Sequence, residues 1–190
     1  MANAAHDRSW VKRVQAELDQ MCGSNAERLP EFEDWDGCPL LQVTIKESLR
    51  IYPNIQQLGF PHASTYFLKR LLMIVKMMNT TGIFSRKGTI FVSNNYHICS
   101  SEEEYHNPGK FIPERFLDVN VKDILQEQIG FGSGRRVCIS WNVAQRNMFI
   151  TFSRLLYCFD FMENPVLPLA ILLCRKIPST FHVFRSLEVM

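Results

Sequence analysis

The sequence predicts a mainly α-helical fold with a small β-hairpin, which places the chain in the α+β class. Three segments repeat apolar residues at helical spacing: Ser9–Met21, Leu40–Tyr52 and Cys138–Phe159. Gly82–Asn94 instead alternates and contains Lys87-Gly88, a turn signal. Ile83-Phe84 before this turn and Thr89–Val92 after it are the expected strands of the hairpin.

Composition limits the classes of protein to which the chain can belong. It has 190 residues, of which 46% are hydrophobic and 21% are charged, as expected for one globular domain with or without a subdomain. A chain of this length can bury a substantial core. The formal net charge is only +2 and there is no long Lys/Arg tract, so no nucleic-acid partner is expected.

The cysteines argue against zinc and against a disulfide framework. Six are present and none forms a CxxC pair, so a zinc site has no support. Disulfide frameworks are typical of smaller secreted domains with a higher cysteine density. We therefore expect buried, reduced thiols at five positions: Cys22, Cys38, Cys99, Cys158 and Cys174.

The chain has no recognisable membrane or secretion signal. Its first 20 residues are polar and charged and lack the apolar core of a signal peptide. The most apolar runs, Leu71–Met78 and Val166–Cys174, are far shorter than the about 20 residues that a membrane span needs. We therefore expect no membrane anchor in this chain and a soluble or cytoplasmic location.

Local signals support the two N-terminal helices. Ser9–Met21 starts with serine, a typical N-cap residue, and Gly23-Ser24 ends the helix. Ala26–Pro39 is an acidic connecting loop. Leu40–Tyr52 carries an apolar stripe and ends before Pro53, because the residue preceding a proline avoids the helical conformation.

The middle and the end of the chain are less regular. Leu58–Tyr66 looks extended, and the basic, apolar run Phe67–Met78 interrupts the strand signals, so we interpret 67–79 as an insertion. Ser100–Tyr105 begins with serine and runs into glutamates, which predicts a short capped helix. From residue 162 the chain has prolines and no clear period, so 162–190 is expected to be an irregular tail.

Two motifs carry charged residues at informative positions. Glu47 and Arg50 are three residues apart, so they lie on one face of the second helix. Taken alone, such a pair is most often a surface ion pair. Pro113–Phe116 reads Pro-Glu-Arg-Phe, and the guanidinium of Arg115 could bind a carboxylate elsewhere and so join two segments.

The loop Phe131–Cys138, FGSGRRVC, holds the candidate metal ligand. Gly132 and Gly134 permit backbone conformations that side chains forbid, and Arg136 is a fixed cation. Nearby cations favour the thiolate, which is the form of cysteine that binds metals. A phosphate-binding loop or a simple turn is the alternative, although neither GxxxxGK[ST] nor GxGxxG is present.

Taken in order along the chain, these three motifs resemble those of the cytochrome P450 family. The family's Cys-loop pattern is Phe-x-x-Gly-x-Arg-x-Cys-x-Gly. The matching positions are Phe131, Gly134, Arg136 and Cys138. The family's Glu-x-x-Arg helix resembles Glu47 and Arg50, and its Pro-Glu-Arg-Phe segment is present at Pro113–Phe116.

The resemblance implies a haem cofactor. Cys138 would be the axial thiolate ligand of the iron, a ligand that favours O–O cleavage. Arg136 would pair with a haem propionate, and His62 matches a second propionate contact, with an ordinary loop or strand histidine as the alternative. Gly134 belongs to the same cofactor-binding loop. Phe131 would pack near the ligand and limit the access of water.

The resemblance also implies a structural triad and an activity. Glu47, Arg50 and Arg115 would form a buried cluster that locks the helix to the segment before the Cys loop. The family's members are monooxygenases, which insert one oxygen atom into a small organic substrate with electrons from an NADPH-dependent reductase. They usually reside at the endoplasmic-reticulum membrane. Ile45–Arg50 and Ser153–Leu156 are similar to the fungal microsomal type.

The resemblance divides the chain and corresponds to the C-terminal, haem-binding portion of the P450 fold. Residues 1–66 would hold the Glu-x-x-Arg helix and the start of a small sheet, and 80–161 the hairpin, the meander, the Cys loop and the long helix. The 67–79 insertion and the 162–190 tail are not family-like. Ser140 replaces a family glycine and is expected to crowd the cofactor site.

Two alternatives to an active monooxygenase stay open. The first is a catalytically inactive P450 fragment or pseudogene-like product, because the family's oxygen-activating pattern, Ala-Gly-x-[Asp/Glu]-Thr, does not occur in this sequence. The second is a small interaction module without a cofactor, in which the apolar run Phe67–Met78 would bind a partner.

Overall fold

The computed structural model describes the chain in segments that form two compact units. The described residues are 4, 7–25, 27–53, 78–80, 83–85, 93–117, 121–125, 128–132, 137–163 and 170–176. One unit comprises Met1–Tyr52 and Lys110–Met190, and the other comprises Pro53–Gly109. Helices dominate the described part and the strand pairs are short, so the predicted mainly helical α+β class is confirmed.

Helix α1 spans Arg8–Cys22 and extends slightly beyond the predicted segment. Its N-cap is Asp7 rather than Ser9, because the Asp7 side chain accepts a hydrogen bond from the Ser9 backbone nitrogen at 2.9 Å. Aspartate and serine are about equally good N-caps, so the local sequence does not choose between them. The helix ends at Gly23, whose φ of 84° favours glycine.

Helix α2 spans Pro39–Ile51 and ends close to Pro53, as predicted. A proline is suited to its first position, since the N–H that proline lacks has no partner within the helix. The carboxylate of Glu17 in α1 accepts hydrogen bonds from the Leu40 and Leu41 nitrogens at 3.0 and 3.1 Å. The start of α2 is therefore fixed by the neighbouring helix as well as by its own sequence.

The second unit contains strands β1 (Met78–Thr80) and β2 (Ile83–Ser85), which pair antiparallel. The predicted strand at Ile83-Phe84 is therefore confirmed, and it pairs with the segment that precedes it, which was not predicted as a strand. Only two residues separate β1 from β2, a length suited to a tight hairpin connection. The predicted partner Thr89–Val92, and residues 67–77 of the predicted insertion, lie outside the described residues.

Helix α3 spans Asn95–Cys99 in the same unit. Its N-cap is Asn94, whose side chain accepts a hydrogen bond from the His97 backbone nitrogen at 3.1 Å. The predicted capped helix at Ser100–Tyr105 is therefore wrong, since Ser100 ends α3 and a turn follows. Asparagine caps helices as well as serine does, so the residue types alone do not decide between Asn94 and Ser100 as the N-cap.

Helix α4 spans Trp141–Cys158 and begins after the predicted start at Cys138. It packs with α1 and α2 around one apolar core. The fully buried aliphatic side chains of this core include Leu18, Leu41, Ile45 and Leu156. Phe149 of α4 contacts Trp35 of the 3₁₀ helix Phe32–Gly37, with ring centroids 5.4 Å apart. Burying one large apolar side chain of this core contributes about 1.5–3 kcal/mol to the free energy of unfolding.

Strands β3 (Phe159–Glu163) and β4 (Ala170–Cys174) pair antiparallel, with Phe161 opposite Leu172. The predicted irregular tail 162–190 is therefore corrected over these residues. Neither segment shows a sustained alternation of apolar and polar residues, so its sequence alone does not indicate a strand. Each segment is recognised as a strand only through its partner, which satisfies its backbone hydrogen bonds.

The tail is also tied to α1 beyond β4. Arg175 Nη2 lies 2.7 Å from Asp19 Oδ2, and Lys176 forms an ion pair with the same carboxylate. The Lys176 ammonium lies 4.4 Å from the centre of the Tyr157 ring. Residues 177–190 lie outside the described part.

The longest described helix, α4, has 18 residues and carries Arg146 and Arg154. No helix within the described segments combines the length and the hydropathy that crossing a bilayer requires.

Candidate functional site

Glu47 lies at the centre of a buried ion-pair cluster. It projects from α2 toward Arg50, one turn later in the same helix. The distances Arg50 Nε–Glu47 Oε2 and Arg50 Nη2–Glu47 Oε1 are both 2.8 Å. Two parallel contacts of this kind make a bidentate pair, which is stronger and more directional than a single contact.

Arg115 adds a second guanidinium to the cluster. It comes from a 3₁₀ helix, Pro113–Phe116, whose sequence is the Pro-Glu-Arg-Phe motif. Arg115 Nε lies 3.2 Å from Glu47 Oε1, and the Ile112 backbone nitrogen donates to the same oxygen at 2.9 Å. One carboxylate therefore joins α2 to the segment around residues 112–116 through a side chain and through the backbone.

The cluster is almost completely withdrawn from solvent. The exposed fraction of the side chain is 0% for Glu47, 1% for Arg50 and 11% for Arg115. The Lys110 carbonyl accepts hydrogen bonds from both guanidinium groups, at 3.4 and 3.5 Å. The surface ion pair considered for Glu47 and Arg50 is therefore excluded, and the three predicted triad residues meet in the structure.

The Cys loop is closed by its own backbone. The Cys138 nitrogen donates to the Phe131 carbonyl at 2.8 Å, so the first and last residues of FGSGRRVC are bonded. Gly132 follows a 3₁₀ helix, Ile129–Phe131, with a φ of 76°, and its nitrogen donates to the Ile129 carbonyl at 2.9 Å. A side chain would strain this conformation, so the turn into the loop requires glycine.

Several predicted cofactor contacts lie outside the described residues, namely Gly134, Arg136 and His62. Phe131 is described, and it is half-buried and packs against the apolar core. Ser140, which was expected to crowd the site, is exposed and directly precedes α4 without capping it through its side chain.

The surroundings of Cys138 fit a large, flat, apolar cofactor. The residue is exposed, and the side chains near it in the chain are apolar and open to solvent: Ile139 is 94% exposed and Val143 is 59% exposed. Single exposed apolar residues are common on protein surfaces, and a bound apolar ligand would cover these two. A thiolate is a soft donor that suits iron within a macrocycle. The described residues therefore fit a haem.

Four other cysteines differ from Cys138 because they are buried: Cys22, Cys38, Cys99 and Cys158. Burial, with a smaller contribution from the nearby Glu17 carboxylate, raises the pKa of Cys38 to about 12. Burial likewise raises the pKa of Cys22. Both groups stay neutral thiols, whereas a metal ligand must be a thiolate.

Gln128 connects the Cys loop to the triad helix, and the sequence motifs did not indicate it. Its side-chain Nε2 donates a hydrogen bond to the Lys46 carbonyl at 3.2 Å, next to Glu47 in α2. The side chain is buried, with 6% of the residue exposed. No local pattern identifies such a residue, because its partner lies far away in the sequence.

Comparisons with known proteins agree with this arrangement. The family model described as Cytochrome P450 matches residues 1–172. The match includes 67–79 and the beginning of the tail, which the motif resemblance had left out.

Individual relatives are similar at modest identity. The cytochrome P450 monooxygenase fogE of Aspergillus ruber is 33% identical over 172 residues, which is 86% of this chain and 29% of the relative. The steroid 17-alpha-hydroxylase/17,20 lyase of Bison bison is 33% identical over 168 residues, which is 87% of this chain and 30% of the relative. The chain thus spans about a third or less of these relatives' length.

Solved structures give the same result. A zebrafish cytochrome P450 solved with abiraterone has a TM-score of 0.67 and 30% identity, and the alignment covers 86% of this chain and 35% of that one. A second zebrafish P450 structure, with progesterone, has a TM-score of 0.68 and 29% identity. Because the family model matches most of this chain, residues 1–172, the chain belongs to the cytochrome P450 family.

Proposed function

We propose that the chain forms the haem-binding part of a cytochrome P450 monooxygenase, in which Cys138 would bind the iron. The observation that carries this proposal is the exposed Cys138 at the end of a backbone-closed loop, beside exposed apolar side chains. Family membership indicates which cofactor suits such a thiol, because P450 enzymes bind haem through cysteine.

Haem, when bound, supplies the activation of molecular oxygen at its iron. The residues of the chain would hold and shield it. The Cys138 sulfur would bind as a thiolate, and Gly134 would let the loop backbone approach the cofactor. Arg136 and His62 would neutralise propionate charge. Phe131, packed against the core, limits water beside the sulfur.

The buried ion-pair cluster has a supporting role in this proposal. Glu47, Arg50 and Arg115 hold α2 against the segment around residues 112–116. The segment that leads from this cluster to the Cys loop therefore begins at a fixed position.

The reaction that follows from this cofactor is the insertion of one oxygen atom of O₂ into a small organic substrate, while the other is reduced to water. An NADPH-dependent reductase supplies the two electrons. The monooxygenases and the steroid hydroxylase among the relatives support this reaction class. These relatives identify the substrate only as a small organic molecule.

Haem titration of the purified chain tests the cofactor. We expect one haem per chain, and we expect the absorption spectrum of the bound haem to change in Cys138→Ala. Cys99→Ala is the matched control, because Cys99 is a buried cysteine of the other unit. Failure to bind haem, or equal spectra for the wild type and Cys138→Ala, would refute the proposal.

A second candidate is a family member that folds around the cluster without turnover. It is favoured by a specific contrast, since the ion-pair cluster is complete and buried whereas the Ala-Gly-x-[Asp/Glu]-Thr pattern does not occur in this sequence. Incubation with NADPH, a P450 reductase and a panel of steroids that includes progesterone distinguishes the two. Hydroxylated product that disappears in Cys138→Ala would exclude the second candidate.

A further inference from the structure

We propose that Gln128 is a positioning residue that fixes the Cys loop, and with it the Cys138 sulfur, onto helix α2. The hydrogen bond from its Nε2 to the Lys46 carbonyl, at 3.2 Å, is the geometric basis. Gln128 directly precedes the 3₁₀ helix that leads into the loop. Lys46 directly precedes Glu47, so the contact lies beside the buried ion-pair cluster.

The contact constrains the loop more than it constrains the helix. A carbonyl inside an α-helix already accepts a hydrogen bond from the residue four positions later, so Lys46 does not need a second donor. The buried side-chain amide of Gln128 does need an acceptor, because a buried polar group without a partner costs free energy. Burial of Gln128 therefore requires this bond, and the bond requires the loop to stay at α2.

Backbone hydrogen bonds carry the constraint from Gln128 to Cys138. The Gly132 nitrogen donates to the Ile129 carbonyl at 2.9 Å, which holds the short turn that follows Gln128. The Cys138 nitrogen then donates to the Phe131 carbonyl at 2.8 Å. A displacement of Gln128 would move the carbonyl against which Cys138 is held.

The start of this segment is also anchored. Ile124 is 1% exposed and belongs to the apolar core, and the Gln128 nitrogen donates to the Leu125 carbonyl at 3.2 Å. Within residues 128–132, Gln128 is the only buried residue. The core anchor and the Gln128 side chain therefore fix the approach to the loop at two points.

The inference deepens the proposed function and rests on it only for the identity of the ligand that Cys138 holds. All of the contacts that carry it join residues of the chain itself. Failure of haem binding would therefore refute the proposed function, while the experiment on Gln128 would still give its own answer.

Native-state hydrogen exchange of the full chain tests the inference in Gln128→Leu, which removes the donor and keeps a side chain of similar size. We expect the exchange rates of the Cys138 and Gly132 amides to rise about fivefold, the factor that corresponds to one ordinary neutral hydrogen bond. Amides in the middle of α2 should keep their wild-type rates, because the helix retains its own bonds.

Gln15→Leu is the matched control. Gln15 is 5% exposed, and its Nε2 donates to a backbone carbonyl, that of Leu156, at 3.1 Å. This bond lies at the far end of α4 from Cys138. We expect Gln15→Leu to leave the Cys138 and Gly132 amides at wild-type rates. The inference is overturned if Gln128→Leu has no effect on these amides, or if Gln15→Leu accelerates them equally.

Gln128→Glu separates the hydrogen bond from packing. A protonated carboxyl group can donate to the Lys46 carbonyl, whereas a carboxylate can only accept. After correction for intrinsic exchange, protection of the Cys138 amide should be restored at pH values below the carboxyl pKa and lost above it. Protection that does not depend on pH in this variant would contradict a role for the donated bond.

Discussion

At the scale of single residues, Glu47 is the most consequential group, because two guanidinium groups and a backbone N–H share its carboxylate. In Glu47→Gln the charge is removed and Arg50 and Arg115 stay buried without their counter-ion. We expect the free energy of unfolding to fall by about 3–5 kcal/mol, as when one partner of a buried ion pair is removed. Urea denaturation followed by circular dichroism measures this change.

The matched control is Glu33→Gln, which makes the same chemical change at an exposed position. Surface substitutions of this kind change stability by about 0.5 kcal/mol or less. If Glu47→Gln costs no more than Glu33→Gln, the cluster does not stabilise the fold and its supporting role is wrong.

The sequence predicted this cluster but not the way in which it is connected to the Cys loop. The resemblance to the P450 motifs identified Glu47, Arg50 and Arg115 as a cluster, whereas the i,i+3 spacing alone favoured a surface ion pair. Spacing cannot reveal that the pair is buried, since burial depends on segments that arrive later in the chain. Gln128 carries no local signal at all, because its acceptor is a backbone carbonyl of α2.

At the scale of secondary-structure elements, Glu17 links two helices and gives their junction a characteristic pH dependence. Desolvation by burial raises the pKa of Glu17, against the opposing effect of the Leu40 and Leu41 hydrogen bonds. The titratable neighbour Cys38 has a pKa of about 12 and stays neutral across the acidic range. Because the folded chain binds the Glu17 proton more tightly, this group stabilises the fold most at low pH.

The expected result is a loss of this contribution as pH rises from the ordinary carboxyl pKa through the raised one. Wild type should therefore lose stability relative to Glu17→Gln over this pH window, as measured by urea denaturation at a series of pH values. A wild type that gains stability relative to Glu17→Gln over the same window would show that the sign is wrong.

Asp34 of the 3₁₀ helix Phe32–Gly37 should behave in the opposite way. Arg28 binds it through two contacts, of 2.6 and 2.7 Å, and this hydrogen bonding lowers the pKa of Asp34. Its stabilising contribution is present above the ordinary carboxyl pKa and is lost as pH falls through the lowered one. The stability difference between wild type and Asp34→Asn should therefore be largest near neutral pH and shrink in acid.

Asp36→Asn is the control for this prediction. The Asp36 side chain is 73% exposed, and its ion pair with Lys122 lies at the surface. Such a pair contributes about 0–1 kcal/mol. A pH profile for Asp34→Asn that matches that of Asp36→Asn would contradict the account of the Arg28 contact.

The elements differ in how far local sequence determines them. Helices α1, α2 and α4 are amphipathic, so their periodicity located them within a few residues. Strand β4 was missed, because its apolar run Ala170–Cys174 acquires an extended conformation by pairing with β3. Ile83-Phe84 was predicted as a strand but its partner Met78–Thr80 was not, since alternation does not state which segments a strand pairs with.

At the scale of the whole molecule, polar contacts from one helix join the parts of the first unit. Gln15 of α1 contacts the end of α4, Glu17 caps α2, and Asp19 binds the residues after β4. Arg13 of the same helix forms an ion pair with Glu114. Each contact joins segments distant in sequence, so none was predictable from local patterns, whereas the apolar face of α1 was.

The proposed function depends on the binding of haem through the Cys138 thiolate. The most direct measurement is the absorption spectrum of the haem-loaded chain after reduction under carbon monoxide. Wild type should show the strongly red-shifted Soret band of thiolate-ligated haem, and Cys138→Ala should lose it while Cys99→Ala keeps it. A wild-type spectrum without the red-shifted band, or a band that persists in Cys138→Ala, would contradict the claim.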